Sequence, residues 1–216
     1  MRKLNVAVLI SGRGSNMQAL VESCRPSNSC AKIKCVISNK PGAAGLTTAA
    51  RSGVQTHVID QTKFLDRAAF ELELTRLLLS SDIDLICLAG FMSLLSSDFV
   101  NRWNNKIINI HPSLLPSFKG LNTHTRVLAA GARVSGCTVH FVREKMDEGP
   151  IILQAATAVH FDDTAETLAE RVLTLEHRCY PLALQWIAEG RIHIFEERVT
   201  VDNAPSKDTW FINPAP

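Results

Sequence analysis

One residue separates Asn109 from His111 in the stretch NIHPSLLPSFKG, residues 109–120. An amide and an imidazole side by side are the groups that donate hydrogen bonds to a carbonyl oxygen as it becomes an oxyanion. In KIINIH the alternation of a β-strand puts Ile108 and Ile110 on one face and Asn109 and His111 on the other. Pro112 then removes a backbone donor and ends the strand, which leaves the pair at a sheet rim. For an isolated pair of this kind, hydrogen bonding to nearby backbone is the commoner arrangement, so a catalytic role depends on what else reaches the same edge. The acid to consider is Asp147 in KMDEGP, whose ordinary use is turn chemistry and whose interest depends on reaching His111.

In an open α/β sheet, ligands bind beyond the carboxyl ends of the strands, which directs attention to three loops. They are SGRGSN (11–16), AGFMSLL (89–95) and the 109–120 stretch itself. SGRGSN leads from a strand into a helix, so its glycines admit a close ligand and its free N–H groups favour an anion. A dinucleotide fingerprint requires a third glycine where Met17 stands, and an acid after the second strand where SNK stands, so a single phosphate monoester is the better guest. A tight turn with Ser15 or Asn16 capping the helix explains the two glycines about as well.

The elements that must position these loops alternate along the first half of the chain. LNVAVLI, KIKCVIS, VQTHVID, DLICLAG and KIINIH read as five parallel strands, with helical segments between them. GCTVHFVRE and PIILQAATAV read as two further strands, joined by KMDEG in a turn short enough to make them antiparallel. Residues 164–190 carry Leu168, Val172, Leu175, Cys179, Leu182 and Trp186 at helical spacing, a continuous apolar stripe. RIHIFEERVT suggests a terminal strand pair. The predicted class is therefore α/β, a doubly wound, Rossmann-like, mostly parallel sheet with antiparallel edge strands in the C-terminal half.

The 216 residues are 46% hydrophobic and 20% charged, enough to bury a sizeable core. A net charge of +2 from 23 basic and 21 acidic residues, with no charged block, suggests neither nucleic-acid nor membrane binding. Six cysteines without C-x-x-C spacing read as free thiols in a reducing compartment, and the apolar run 6–10 is too short for a signal peptide or a span. A cytoplasmic protein is expected, with no metal, working as a monomer or weak homodimer.

Taken together, GRGSN, AGFM, INIHPSLLPSFKG, GCTVHFV with MDEGP, and the later LEH resemble the folate-dependent formyltransferases, over roughly residues 5–191. The N-x-H-P-S-x-L-P motif with a downstream aspartate is shared by enzymes using 10-formyltetrahydrofolate, while GRGSN and LEH are similar to the branch acting on glycinamide ribonucleotide. The resemblance implies transfer of a formyl group from 10-formyltetrahydrofolate to the amine of that ribonucleotide, in purine biosynthesis. It implies catalytic roles for Asn109, His111 and Asp147, with the acid raising the histidine's pKa. It places the phosphate loop on Gly14, Ser15 and Asn16, and further ribonucleotide contacts on Leu173, Thr174, Leu175 and Glu176. Glu176 also interrupts the edge of an apolar stripe, where an unpaired carboxylate is costly; a ligand amine or hydroxyl would satisfy it, as would a salt bridge to Arg178. Folate contacts fall on Arg67, Met92, Ser93, Leu94, Leu95, Asn109, Arg143, Glu144, Lys145, Met146 and Asp147. Ser93 departs from the family, many members of which carry arginine there. His124 matches a family histidine, and its spacing suggests a loop-positioning role.

The resulting expectation is one formyltransferase domain over residues 1–195, with a phosphate-binding half at 1–111, a folate and catalytic-loop half with the long helix at 112–195, and a loosely ordered tail at 196–216. Alternatives are a formyltetrahydrofolate hydrolase, an enzyme with another amine acceptor, or a non-catalytic folate- or nucleotide-binding module. Whether the chain works alone or as one module of a multifunctional purine enzyme is left open by these motifs.

Overall fold

The computed structural model describes residues 2–204 and residue 213. The part of the expected loose tail beyond residue 204 lies outside the described residues, residue 213 excepted. The predicted alternation of strands and helices is observed: β1 (Leu4–Ile10), α1 (Ser15–Ser23), β2 (Ala31–Ser38), α2 (Ala44–Arg51), β3 (Gln55–Val58), α3 (Arg67–Ser80), β4 (Leu85–Leu88), α4 (Ser97–Arg102) and β5 (Ile107–His111). Then follow α5 (Thr123–Ala129), β6 (Val134–Phe141), β7 (Ile151–Ala158), α6 (Ala165–Ala188), β8 (Ile192–Phe195) and β9 (Arg198–Val201). Seven strands form a sheet in the order β3-β2-β1-β4-β5-β6-β7, and β8 and β9 form a separate antiparallel pair. β1 pairs in parallel with both β2 and β4, so the chain reverses its direction of travel across the sheet beside β1. The predicted antiparallel hairpin is β6 and β7.

The chain's contacts group into two units. The first comprises residues up to Asn109 with Phe141–Glu144, and the second comprises Ile110–His140 and the chain from Lys145 onward. In the first, Leu9, Ile37 and Ile86 from the strands pack with Phe70, Leu74 and Phe99 from helices α3 and α4 in one buried cluster. β4 (LICL) and the stretches Val6–Ile10 of β1 and Cys35–Ile37 of β2 are continuously apolar and buried, as strands covered on both faces are. Cys35 and Cys87 are buried here outside any disulfide, and burial pushes the Cys35 thiol up to about 11. Helix starts are set by side chains: Asp66 Oδ1 accepts from Ala69 N at 2.8 Å, and Ser96 Oγ accepts from Phe99 N at 3.2 Å.

In the second unit α6 begins with a capping box in which Thr164 and Thr167 satisfy each other's backbone N–H. Just before it, Asp163 takes a two-pronged ion pair from Arg171, at 2.8 and 2.7 Å, and also accepts from His160 N and Thr167 Oγ1. Arg171 foremost, aided by the backbone N–H of His160, holds this carboxyl well below the usual carboxylate range. A depressed folded value means that the stabilisation is present above the unfolded carboxyl's pKa, about 4, and is lost as pH falls through the folded value. Asp163→Asn is expected to cost about 2 kcal/mol at neutral pH. The gap to the parent should narrow below about pH 4, and urea unfolding at pH 7 and at low pH checks both.

Gly136 in β6 has no room for a side chain. A Cβ there would lie 1.9 Å from the Ala155 carbonyl oxygen of β7. Backbone must shift to admit it, so Gly136→Ala is expected to destabilise by about 3 kcal/mol. Thermal unfolding of the purified variant measures this directly.

Candidate active site

In the first unit, β1 runs into SGRGSN and α1 begins at Ser15 with Gly14 as its N-cap, at φ +75°. No side chain caps this helix start, so Ser15 and Asn16 are helical residues and neither serves as the N-cap. The left-handed torsion and a tight approach both require glycine at 14: a Cβ would stand 3.0 Å from Gly45 Cα and 3.0 Å from Met17 Cε. Met17, where a dinucleotide fingerprint has glycine, is a fully buried core residue. A glycine-held helix N-terminus with no side-chain cap leaves amide donors available to an anion.

β4 ends at Leu88, which lies in register with Asn109 of β5. The segment that follows carries the predicted folate residues: Met92 and Leu94 are exposed by 60% and 61%, while Ser93 and Leu95 are half-buried. Arg67 is the exposed first residue of α3. Arg143 donates to Asn105 Oδ1 at 2.7 Å, and Glu144 accepts from Asn101 Nδ2 at 2.7 Å. In this arrangement the Arg143 guanidinium and the Glu144 carboxylate hold the chain after β6 against the end of α4 and the turn that follows it.

In the second unit the question left by the sequence has a geometric answer. Asp147 Oδ2 lies 3.4 Å from His111 Nδ1, and both side chains are buried. The other ring nitrogen, Nε2, is 3.0 Å from the Phe118 carbonyl oxygen. Both nitrogens of His111 therefore face oxygen acceptors. Asp147 sits at φ +58°, a torsion that aspartate and asparagine tolerate better than most residues, and its Oδ2 also accepts from Gly120 N at 2.8 Å. Beside it, Lys119 pairs with Glu148 at 2.8 Å and holds that carboxyl below its usual range. The 145–148 turn and the 118–120 loop are thus fastened together by side chains of both. The start of that loop is anchored as well: Thr138 Oγ1 donates to Ser113 O and accepts from Leu115 N, and Gln154 Nε2 donates to Leu115 O.

Two histidines join this group. His140 Nε2 is 3.8 Å from Asp147 Oδ1, so the two carboxylate oxygens face two different imidazoles. Its signal in the sequence is GCTVHFV, where strand alternation places His140 with Thr138 as the polar positions of a buried strand. His124, in the first turn of α5, is brought within electrostatic reach of His111, a relation its spacing in sequence did not indicate. Burial first, and then the charge of His111, lower its pKa.

Of the predicted ribonucleotide contacts on α6, Leu173 and Leu175 are half-buried and Thr174 is exposed, its hydroxyl returned to the Arg171 carbonyl at 2.7 Å. Glu176 is 7% exposed. Its negative charge acts on the thiols of Cys137 and Cys179. The Cys137 thiol is held protonated by its hydrogen bond with Cys179, by burial and by Glu176.

The site thus sits on a doubly wound sheet whose fifth strand ends in a buried histidine facing an aspartate from a later turn. The formyl transferase family model matches residues 4–184, and the chain belongs to that family. Within it, the chain is 40% identical over 199 residues to a phosphoribosylglycinamide formyltransferase of Escherichia coli, covering 92% of this chain and 94% of that protein. It superposes on the crystal structure of glycinamide ribonucleotide transformylase 1 from Symbiobacterium toebii with a TM-score of 0.90 at 44% identity, covering 92% of this chain and 94% of that one. It is also 53% identical over 194 residues to the trifunctional purine biosynthetic protein adenosine-3 of Gallus gallus, covering 90% of this chain. The chain spans about a fifth of the length of that relative, 19%.

Proposed function

We propose that this chain transfers the formyl group of 10-formyltetrahydrofolate to the amine of glycinamide ribonucleotide. The observation that carries the reading is the approach of Asp147 to His111, on the strand that also bears Asn109. The ribonucleotide's phosphate is taken at Gly14, Ser15 and Asn16, where an uncapped helix start supplies donors. Leu173, Thr174, Leu175 and Glu176 face the rest of the ribonucleotide. A buried carboxylate such as Glu176 suits an amine or hydroxyl of a ligand. The folate is taken by Arg67, by Met92, Ser93, Leu94 and Leu95, and by Arg143, Glu144, Lys145, Met146 and Asp147. With Ser93 where the resemblance leads one to expect arginine, Arg67 or a nearby lysine is the candidate cation for the folate's glutamate tail.

The free amine attacks the formyl carbon directly. A new carbon–nitrogen bond forms as the carbonyl oxygen takes the negative charge, and Asn109 and His111 donate hydrogen bonds to that oxygen, His111 through Nε2 in exchange for its contact with the Phe118 carbonyl. Collapse breaks the bond from the formyl carbon to the folate nitrogen, and the proton lost by the amine passes to that nitrogen, giving tetrahydrofolate. Asp147 orients the imidazole and offsets positive charge on it while the oxyanion exists.

The test is to mix the protein with both substrates and follow tetrahydrofolate formation by absorbance, omitting each substrate in turn. Release that requires the ribonucleotide supports the reading. Release that persists without it identifies a formyltetrahydrofolate hydrolase, and binding without turnover identifies a non-catalytic module.

A further inference from the structure

The segment that follows β4 presents Met92 and Leu94 to the outside, yet its backbone is tied down by side chains at both ends. Met92 N donates to Ser11 Oγ at 2.7 Å. Four residues on, Ser96 N donates to Glu71 Oε1 at 2.6 Å, and the Ser96 hydroxyl donates to the second Glu71 oxygen. Both anchors are buried, Ser11 to 7% and Glu71 to 6% exposure. A carboxylate removed from water in this way is costly unless its acceptor capacity is used, and both Glu71 oxygens are engaged by the same residue.

Ser11 is itself held in one rotamer. Its hydroxyl donates to Asn39 Oδ1 at 2.6 Å, and Asn39 Nδ2 donates to Gln61 Oε1 at 2.9 Å. With its proton committed to Asn39, the Ser11 oxygen has only acceptor capacity left to offer, and the Met92 N–H uses it. The Ser11 backbone N–H adds a bond to the Gly90 carbonyl at 3.2 Å. Ser11 is also the first residue of SGRGSN. One buried hydroxyl therefore joins the loop after β1 to the loop after β4, beside the reversal in strand order.

We propose that Ser11 is a positioning residue for the formyl donor, with Glu71 as the second anchor of the same segment. This rests on residues 92–95 being the folate segment. Neither residue touches substrate on this proposal; they hold the backbone of 92–96 in the form that receives the folate. Alanine at 11 leaves the Met92 N–H and the Asn39 carbonyl oxygen without this partner while the β1 and β4 strand pairing remains.

The experiment is steady-state kinetics on the full chain with each substrate varied separately. Ser11→Ala is expected to raise KM for 10-formyltetrahydrofolate about tenfold, as loss of one buried hydrogen bond implies, while kcat and KM for the ribonucleotide change less than about twofold. Glu71→Gln, which keeps the side-chain length but cannot accept both Ser96 donors as a carboxylate does, should move the same parameter in the same direction. It carries the test should Ser11→Ala fail to fold. Both KM values rising together, a fall confined to kcat, or no change in either variant overturns the proposal. Leu94→Asp separates this from the underlying reading: a charge on the exposed face of the segment must weaken folate binding if the folate lies there. If Leu94→Asp raises the folate KM and the anchor variants do not, the anchoring role alone fails. If Leu94→Asp leaves that KM unchanged, the assignment of the folate segment fails.

Discussion

His111→Ala is expected to lower turnover about a hundred- to a thousandfold, because on the proposed mechanism it removes one of the two donors to the developing oxyanion. Asn109→Ala should fall in the same range. The loss belongs in kcat, since a donor used in the transition state adds little to ground-state binding. Folate binding, followed by equilibrium titration without the ribonucleotide, should therefore be nearly preserved in both variants. His111 is buried, with its ring between the Asp147 carboxylate and the Phe118 carbonyl, so alanine also opens a polar cavity. A companion variant, His111→Asn, fills more of that space and keeps a donor, and it should recover folding before it recovers rate. Near-normal turnover in either alanine variant would remove Asn109 and His111 from the chemistry.

The second large effect is expected at Asp147. Asp147→Asn keeps an oxygen able to accept from Gly120 N and tolerates the +58° torsion, so charge is removed with little disturbance of the loop. A rate loss of about a hundredfold is expected, since the amide cannot offset positive charge on the imidazole 3.4 Å away. Asp147→Ala adds torsional strain and an unpaired Gly120 N–H, and should lose stability as well as rate. Near-normal turnover in Asp147→Asn, with loss confined to Asp147→Ala, would reduce Asp147 to an anchor for the 118–120 loop.

The strand bearing Asn109 and His111 was legible in the sequence because a period of two needs only six residues to declare itself, and Pro112 marks its end. The β6–β7 hairpin and the long α6 were legible for similar reasons: a short polar turn between apolar runs, and a helical stripe sustained over 24 residues. What local pattern could not supply was which polar groups meet. The contact of Asp147 with His111 depends on a left-handed turn 36 residues away in sequence, and nothing in KMDEGP states its direction. His140 reads as one more residue of an apolar strand until the carboxylate is placed beside it. The bond from Met92 N to Ser11 spans 81 residues and passes through a backbone N–H, which leaves no trace in residue type. His124 shows the limit from the other side: nothing in its spacing tied it to the Asn109 and His111 face, yet the charge of His111 acts on it in the fold.

The positive torsion at Asp147 bears on how position 147 can vary. Among the common residues, glycine, asparagine and aspartate occupy that region at least cost, and of these three only aspartate carries a charge. Glutamate, the usual conservative exchange, meets the torsion with a longer chain and overshoots an imidazole already 3.4 Å away. In a complete substitution library at this position, the survivors on folding and the survivors on activity should therefore be nearly disjoint sets, sharing the parent residue. Backbone shape and chemical need narrow the choice independently.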